Sequence, residues 1–337
     1  MAIYKEEFMK AVVVGDSNQR EILIEDMNIP VPRDNEILVR VHAAGLNPVD
    51  YKVAASGHPN WSYPFTLGLD VAGTVVETGK SVTHLSPGDR VFYHGDLSKP
   101  GGFAEYAVTT AHTVSKIPGG VTFSEAAALP CAGLTAYQAL YRKIDMSGME
   151  SILIHGGAGG VGGFAIQLAK RAGLKVITTC SPENNDWVAK LGADFAIDYK
   201  NEDVTLRVME ITDGKGVNAI LNTLGSESAQ EDILRLSYNG HLICIADLPD
   251  LSKVNLWSRA MSVHTIALGG AHGSGNYAQQ RDLANMATEL IILVSIGGIL
   301  PMIESRISLE EIPEAFGRLA TRHVRGKIVA EIIPDEK

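Results

Sequence analysis

The sequence has few cysteines and no long hydrophobic run. Three cysteines occur in 337 residues, Cys131, Cys180 and Cys244, far apart and in apolar or glycine-rich surroundings. An odd, scattered set excludes a disulfide framework and a four-cysteine zinc lobe. The longest apolar run, residues 290–300, is too short to span a bilayer. We therefore expect reduced, buried cysteines and no membrane partner.

Positive charge is also scarce. The formal net charge is −10, and lysines and arginines nowhere concentrate in a patch, which argues against a nucleic-acid partner. The first ten residues are charged, unlike a secretory signal peptide, so we expect a cytoplasmic protein. Hydrophobic residues make up 45% and charged residues 20%, as in soluble globular proteins, and the length predicts two domains.

Residues 151–173 carry the most informative motif. An apolar strand run is followed by a glycine-rich turn with the spacing G-x-G-x-x-G and then by an amphipathic helix, the pattern of a dinucleotide site. Gly157 is expected to permit the tight turn, Gly159 to let the backbone approach a pyrophosphate, and Gly162 to pack the helix on the strand. The start of the helix, at Gly160 and Val161, then faces the phosphate.

The end of the next strand bears on the choice of cofactor. In NAD-binding proteins an acidic residue there bonds the ribose hydroxyls, and it would repel the extra phosphate of NADP. This sequence has Cys180 and Ser181 instead, followed by the donors Asn184 and Asn185. Glu183 weakens the argument because it lies close to the usual spacing, so NADPH is predicted and NADH stays open.

The order of elements predicts an α/β fold. Short strand candidates at 11–14, 37–43, 71–77, 90–93 and 103–108 are separated by proline and glycine, as in a small barrel or sandwich. Strands at 151–155, 175–179, 194–198, 217–221, 241–246 and 263–268 alternate with helices, which predicts a doubly wound parallel sheet. The expected domains are 1–130, 131–270 and a return to the first domain at 271–337.

Five segments together resemble the medium-chain dehydrogenase/reductase superfamily. They are LNPVDYK at 46–52, LGLDVAGTVVETG at 67–79, GDRVF at 88–92, GGFAEY at 101–106 and AALPCAGLTAYQAL at 127–140. Within the superfamily the chain is similar to the zinc-independent branch of quinone oxidoreductases and enone reductases. The resemblance implies a GroES-like β-barrel catalytic domain, a Rossmann domain for NADPH, and a homodimer that pairs through residues 263–268.

Residue types within this resemblance argue against a metal. Zinc alcohol dehydrogenases carry a cysteine and a Gly-His-Glu triplet at the positions of Asn47 and of Gly68, Leu69 and Asp70, and leucine cannot bind a metal. We expect no metal ion. Oxidation of a simple alcohol is then disfavoured, because nothing would stabilise the alkoxide.

The resemblance also implies the catalytic residues. The NPxDxK segment lines the nicotinamide pocket in the resembled branch. Lys52 is expected to polarise the carbonyl or hold the ribose, Tyr51 is the alternative donor, and Asn47 orients substrate or cofactor. Lys52 as a solvated surface lysine stays open, and Asp50 is expected to make a structural hydrogen bond.

Further cofactor contacts are implied position by position. Thr135 would meet the nicotinamide side or serve as a helix N-cap, and Tyr199 would lie near the adenine ribose phosphate. Positive charge there or near the pyrophosphate would come from Arg325 and Lys327. The ends of the last three strands would supply ribose and carboxamide contacts from Asn222, Thr223, Ile245, Leu268 and Gly270.

The sequence thus predicts an NADPH-dependent reductase of quinones or α,β-unsaturated carbonyls. Two alternatives remain: a zinc-free dehydrogenase of another small substrate, and a dinucleotide-binding protein with a structural role. His272 is kept as a possible pocket residue and Cys131 as a thiol that a reactive enone could alkylate. Trp61, Tyr63 and Tyr277 suggest a flat aromatic pocket wall.

Overall fold

The structure, a computed structural model, describes residues 7–16 and 18–334. Residues 1–6, part of the charged segment that argued against a signal peptide, lie outside the described residues. The chain divides into two compact units. The first unit combines the chain up to Leu134 with the chain from Gly269 onward, and the second is Thr135–Leu268.

Sixteen strands are described. They are β1 Phe8–Val14, β2 Ile22–Asn28, β3 Glu36–Gly45, β4 Phe65–Thr66, β5 Asp70–Thr78, β6 Arg90–His94, β7 Tyr106–Thr110, β8 Ser115–Lys116, β9 Ser151–Ile154, β10 Lys175–Cys180, β11 Phe195–Asp198, β12 Val217–Asn222, β13 Leu236–Cys244, β14 Ser262–Thr265, β15 Ile303–Ile307 and β16 Lys327–Glu331.

Eleven α-helices are described beside these strands. They are α1 Pro48–Ser56, α2 Phe123–Ala127, α3 Pro130–Tyr141, α4 Gly160–Arg171, α5 Asn185–Leu191, α6 Val204–Ile211, α7 Ser226–Arg235, α8 Leu256–Arg259, α9 Gly270–Gly273, α10 Tyr277–Ser295 and α11 Ile312–Ala320. None of the described helices is both long enough and apolar enough to cross a membrane.

The first unit is built around β3, whose residues are almost all buried. This strand pairs with β5 along one side, and with β7 and then β16 along the other. The neighbouring sheet has the order β2-β1-β4. The pairing of β16 with β3 brings a late segment of the chain beside residues 43–45, next to the start of α1.

The second unit is a six-stranded parallel sheet with the order β11-β10-β9-β12-β13-β14. The order reverses at β9, so the carboxyl ends of β9 and β12 flank a switch point, where ligands of such sheets bind. Buried apolar side chains from the central strands, among them Leu153, Ile177, Ile220 and Leu242, form its core. The predicted doubly wound α/β class is confirmed.

Several predicted boundaries are wrong for local reasons. The strand expected at 103–108 begins at Tyr106, because Phe103 and Ala104 instead bond to β1 of the other sheet. The strand expected at 241–246 begins at Leu236, since residues 237–240 bulge opposite Asn218. The last strand of the parallel sheet ends at Thr265 rather than at residue 268.

Candidate active site

The glycine-rich loop joins β9 to α4. Gly157 is expected to permit the tight turn, and the left-handed conformation in this turn is adopted by its neighbour Gly156, with a φ of +65°. A Cβ at Gly157 would lie 2.1 Å from Thr178 Oγ1, and one at Gly162 would lie 2.3 Å from the Gly156 carbonyl oxygen. Close packing therefore requires glycine at both positions. At Gly159 an added Cβ would come no closer than 3.5 Å to the protein, so packing does not explain this glycine.

The first turn of α4 fits a diphosphate. The amide of Gly163 is bonded to the Gly159 carbonyl, so the N–H groups of Gly160, Val161 and Gly162 precede the first intrahelical donor. The positive end of the helix dipole adds to these donors. These residues can hold the phosphates of a dinucleotide, as the sequence predicts.

A buried polar network lies behind this loop. His155 Nε2 is 2.8 Å from Asp232 Oδ1, and His155 Nδ1 is 3.2 Å from Thr179 Oγ1. The same threonine oxygen accepts the Gly156 N–H at 3.1 Å. Asp232 is fully buried and also accepts from Arg235 at 2.8 Å. Although burial favours its neutral form, hydrogen bonds from His155 and Asn222 and the Arg235 charge hold the pKa of Asp232 below its usual value.

Asn222, predicted beside the ribose, belongs to this network. Its Nδ2 donates to Asp232 Oδ2 at 2.7 Å and to Ser228 Oγ at 3.0 Å, and its Oδ1 accepts the N–H groups of Leu224 and Gly225. The amide of Asn222 therefore shapes the turn after β12. Sequence reasoning missed Asp232, the carboxylate that joins the ends of β9 and β12 through α7.

Polar groups gather after β10 and β11. Ser181 Oγ accepts from Asn184 Nδ2 at 3.0 Å, and the half-exposed Tyr199 has Lys200 Nζ 6.0 Å from its ring centre. Sequence reasoning passed over Lys200, although it directly follows Tyr199. The carboxylate of Asp198 accepts from the Lys200 N–H and from Asn201 Nδ2, within its own turn.

The remaining predicted cofactor residues have varied surroundings. Thr135 is buried inside α3, five residues after the helix begins, so its alternative as a helix N-cap is wrong. Ile245 is half-buried and donates its N–H to the Asn222 carbonyl. Leu268 is buried, Gly270 is the exposed first residue of α9, and Arg325 is exposed with its N–H on Glu304.

A buried polar cluster in the first unit surrounds the start of α1. Asp50 Oδ2 accepts the Asn47 N–H at 2.8 Å, which is the structural hydrogen bond expected of Asp50. The two hydrogens of the Asn47 amide go to Asp70 Oδ2 at 2.8 Å and to the Gly45 carbonyl at 3.3 Å. The side chain of Asn47 thus fixes its own loop.

Lys327 lies in this cluster. Its ammonium donates to Leu46 O at 3.0 Å, to Asp70 Oδ2 at 3.2 Å and to Asn47 Oδ1. The expectation that Lys327 adds positive charge near the adenine ribose or pyrophosphate is wrong, since the residue is 3% exposed and all three donors have acceptors. Its side-chain partners, Asn47 and Asp70, are about 260 to 280 positions earlier in the chain, so no local pattern reveals them. We call Asn47, Asp50, Asp70, His94, Cys131 and Lys327 the Lys327 cluster.

Burial controls protonation in the Lys327 cluster. Desolvation, with help from the Asp70 charge, raises the pKa of Asp50 to about 8, and desolvation also raises the pKa of Asp70 against the opposing charge of Lys327. Burial, followed by the charges of His272 and Lys327, lowers the pKa of His94 to about 3. Burial and Asp70 raise the pKa of the Cys131 thiol. A protonated thiol is a poor nucleophile, which argues against alkylation of Cys131.

The donors of this cluster do not fit a resident zinc ion. Ligand atoms of Asp70, His94 and Cys131 lie within 4.8 Å of one another, and all three residue types bind zinc. The Lys327 ammonium, however, already bonds the Asp70 carboxylate. Leu69, at a ligand position of the resembled zinc enzymes, offers no donor atom.

The residues expected near the nicotinamide lie on α1 and around it. Tyr51 is half-buried against an apolar cluster, and Lys52 is exposed. Trp61 is 8% exposed, stacks on Phe65 at 4.1 Å and donates its Nε1–H to the Leu97 carbonyl, so little of its ring surface is open to solvent. His272 Nε2 bonds the His94 carbonyl at 3.1 Å.

Known proteins are similar to this chain in sequence and fold along almost its whole length. The alcohol dehydrogenase GroES-like domain matches residues 33–119, and the zinc-binding dehydrogenase family matches 191–329. A quinone oxidoreductase of Sus scrofa is 30% identical, over 96% of this chain and 98% of its own. The chloroplast envelope quinone oxidoreductase homolog of Arabidopsis thaliana is 33% identical, over 90% and 92%.

Solved structures agree with these sequence matches. The quinone oxidoreductase of Escherichia coli, crystallised with NADPH, is 27% identical and superimposes with a TM-score of 0.83 over 96% of this chain and 100% of its own. The folds of both units therefore occur in a known quinone oxidoreductase. The chain belongs to the medium-chain dehydrogenase/reductase superfamily of NAD(P)H-dependent oxidoreductases.

Proposed function

We propose that this enzyme uses NADPH to reduce quinones or α,β-unsaturated carbonyls by hydride transfer, without zinc. The observation that carries the proposal is the glycine loop, which packs through Gly157 and Gly162 and leaves the first amides of α4 available to a diphosphate. The names of the pig, Arabidopsis and Escherichia coli relatives support a quinone as the acceptor. A zinc enzyme needs a ligand where this chain has Leu69, and it needs space for the ion where this chain has the Lys327 ammonium. Both residues therefore support a reaction without a metal.

The residues divide the binding of NADPH among them. The amides of Gly160, Val161 and Gly162 hold the diphosphate. Around the extra phosphate of the adenine ribose we place Ser181, Asn184, Tyr199 and Lys200, with the lysine supplying positive charge. Thr135, Asn222, Ile245, Leu268, Gly270 and Arg325 keep their proposed cofactor contacts. When bound, the nicotinamide supplies the hydride.

The substrate side needs a donor for the developing oxyanion. Hydride addition to an enone or quinone places negative charge on the carbonyl oxygen, and a positioned donor lowers that barrier. Because the amide hydrogens of Asn47 are bonded to Asp70 and Gly45, we propose that Asn47 orients substrate or cofactor indirectly, by fixing the start of α1, and that Lys52 or Tyr51 is the donor. Simple alcohols are not expected to react, since no Lewis acid stabilises an alkoxide.

A substrate panel tests the proposal directly. Purified protein treated with a chelator is given NADPH or NADH with a naphthoquinone, a phenanthrenequinone, an enal, an aryl enone and an alcohol, and cofactor oxidation is followed by absorbance. We expect turnover of a quinone or enone with NADPH preferred. Turnover of the alcohol alone would instead indicate a zinc-free dehydrogenase. Cofactor binding without turnover would indicate a structural dinucleotide-binding protein.

A further inference from the structure

The Lys327 cluster combines a cation with a set of metal ligands. We propose that the Lys327 ammonium is the resident cation of this cluster and excludes divalent metal ions from it, so that Asp70, His94 and Cys131 bind a thiophilic divalent ion once that charge is removed. The inference concerns metal binding alone and does not depend on the substrate or cofactor proposed above.

The first support is the coordination of the ammonium. Three protein oxygens, from Leu46, Asn47 and Asp70, accept from Lys327 Nζ, and Lys327 and Asp70 are 3% and 0% exposed. A buried carboxylate needs a nearby positive charge or a proton. Lys327 supplies that charge from a side chain, as a metal ion would supply it from solution.

The second support is the set of ligands beside the ammonium. Asp70, His94 and Cys131 offer carboxylate, imidazole and thiol atoms within 4.8 Å of one another, so a small inward shift of these side chains would bring the atoms to the spacing of ligands on one metal ion. His94 is 3% exposed and its Nδ1 has no hydrogen-bond partner. A buried imidazole nitrogen without a partner is uncommon and is available to a ligand.

Electrostatic repulsion disfavours binding of a divalent metal ion while the Lys327 ammonium is present. A divalent ion bound to Asp70 would lie a few ångström from the ammonium on the same carboxylate, and repulsion at that distance lowers affinity by orders of magnitude in a buried site. Removing the ammonium leaves Asp70 buried without its counter-ion, which favours uptake of another cation. The thiol then selects zinc-like ions over magnesium or calcium.

The test measures metal uptake in Lys327→Met and Lys327→Gln. Each variant and the wild type is titrated with Co²⁺, whose thiolate complexes absorb in the near-ultraviolet, and bound metal is counted by mass spectrometry. We expect the wild type to take up no stoichiometric Co²⁺. Each variant should bind about one ion per chain, at least about 10²-fold more tightly than the wild type. The thiolate absorption should disappear when Cys131→Ser is added.

A matched control removes a lysine elsewhere in the same unit. Lys116 is exposed and paired with Asp89, so Lys116→Met should behave as the wild type does. Stoichiometric Co²⁺ bound through Cys131 in the wild type would overturn the proposal. The proposal would also be overturned if neither Lys327 variant bound Co²⁺, either as the folded protein or after refolding in the presence of Co²⁺. Turnover is not used as a readout, so the proposed reductase activity is tested separately.

Discussion

Lys52 and Tyr51 are neighbours on α1 but differ in exposure. Tyr51 packs against the apolar cluster of the first unit, whereas Lys52 extends into solvent. An exposed, flexible lysine side chain can move its ammonium group toward a substrate oxygen. The hydroxyl is the only donor of the Tyr51 side chain. Because the ring is partly held by the core, this hydroxyl is less free to move than the Lys52 ammonium.

Replacing Lys52 tests its assignment as the oxyanion donor. We expect Lys52→Ala to lower kcat for a quinone or enone by about 10², the usual cost of losing one oxyanion donor. Steady-state kinetics of Lys80→Ala, which removes another exposed lysine, provide the control. A change below about threefold in Lys52→Ala would leave Lys52 as an ordinary surface residue and move the role to Tyr51.

Ser181 provides a test of cofactor choice. A carboxylate at this position would repel the extra phosphate of NADPH and accept hydrogen bonds from the ribose hydroxyls of NADH. We expect Ser181→Glu to lower kcat/KM for NADPH by about 10² and that for NADH by less than tenfold. Ser181→Ala serves as the uncharged control. An equal loss with both cofactors would show that Ser181 does not lie near the extra phosphate.

Asp50 gives the fold a pH dependence of definite sign. Its pKa is about 8 in the fold and near 3.8 when exposed, so between these values the folded state holds a proton that the unfolded state releases. Its contribution to the free energy of unfolding is present at low pH and decreases as the pH rises toward 8, by at most about 1.4 kcal/mol per pH unit.

Urea unfolding at pH 5.5 and 8 measures this contribution. We expect wild type to lose stability relative to Asp50→Asn as the pH rises, because asparagine has no proton to release. A pH-independent difference between the two proteins would show that Asp50 is ionised throughout this range.

At the scale of elements, different glycines of the β9–α4 loop serve packing and cofactor binding. A Cβ at Gly157 would overlap Thr178, whereas one at Gly159 would meet only ordinary contacts at a φ of −81°. We expect Gly157→Ala to reduce the free energy of unfolding by about 1 to 3 kcal/mol. Gly159→Ala should keep the wild-type Tm and weaken NADPH binding at least about tenfold, as measured by fluorescence titration. A lower Tm in Gly159→Ala would contradict this division.

The sequence predicts elements best where periodicity is long and uninterrupted. The parallel sheet and α4 follow from apolar runs and glycine spacing, and their order is confirmed. Strands β4 and β8 have two residues each, too few to show a period, and β2 is half exposed along its length. Asn239 adopts a φ of +60° inside β13, where the letters YNG resemble a turn.

The candidate site follows the same rule. The glycine loop is predicted because its chemistry is local, and the motif at 46–52 places Asn47, Tyr51 and Lys52 near the start of one helix. The position of Lys327 and the role of Asp232 could not be predicted from the sequence, because Asn47 and Asp70 lie far from Lys327 in the chain and His155 lies far from Asp232. The pairing of β16 with β3 brings Lys327 to its partners, and the packing of α7 brings Asp232 to its partners.

At the scale of the whole molecule, β14 is the last strand of the described parallel sheet. The Ile266 N–H bonds the Cys244 carbonyl on β13, so by alternation the Thr265 N–H points away from the sheet. We expect a homodimer that pairs through this edge. Light scattering should show Thr265→Pro as a monomer with unchanged circular dichroism, because proline removes an outward donor only. A monomeric wild type would refute the dimer.

The pairing of β16 with β3 also orders events during synthesis. Asp70 leaves the ribosome long before Lys327, 257 positions later, so for most of translation this carboxyl has no lysine to neutralise it. All strands of the second unit come from one continuous segment. Its sheet can therefore form before the C-terminal part of the first unit has been synthesised. A nascent chain stalled before residue 327 would therefore contain a folded second unit and an incompletely folded first unit.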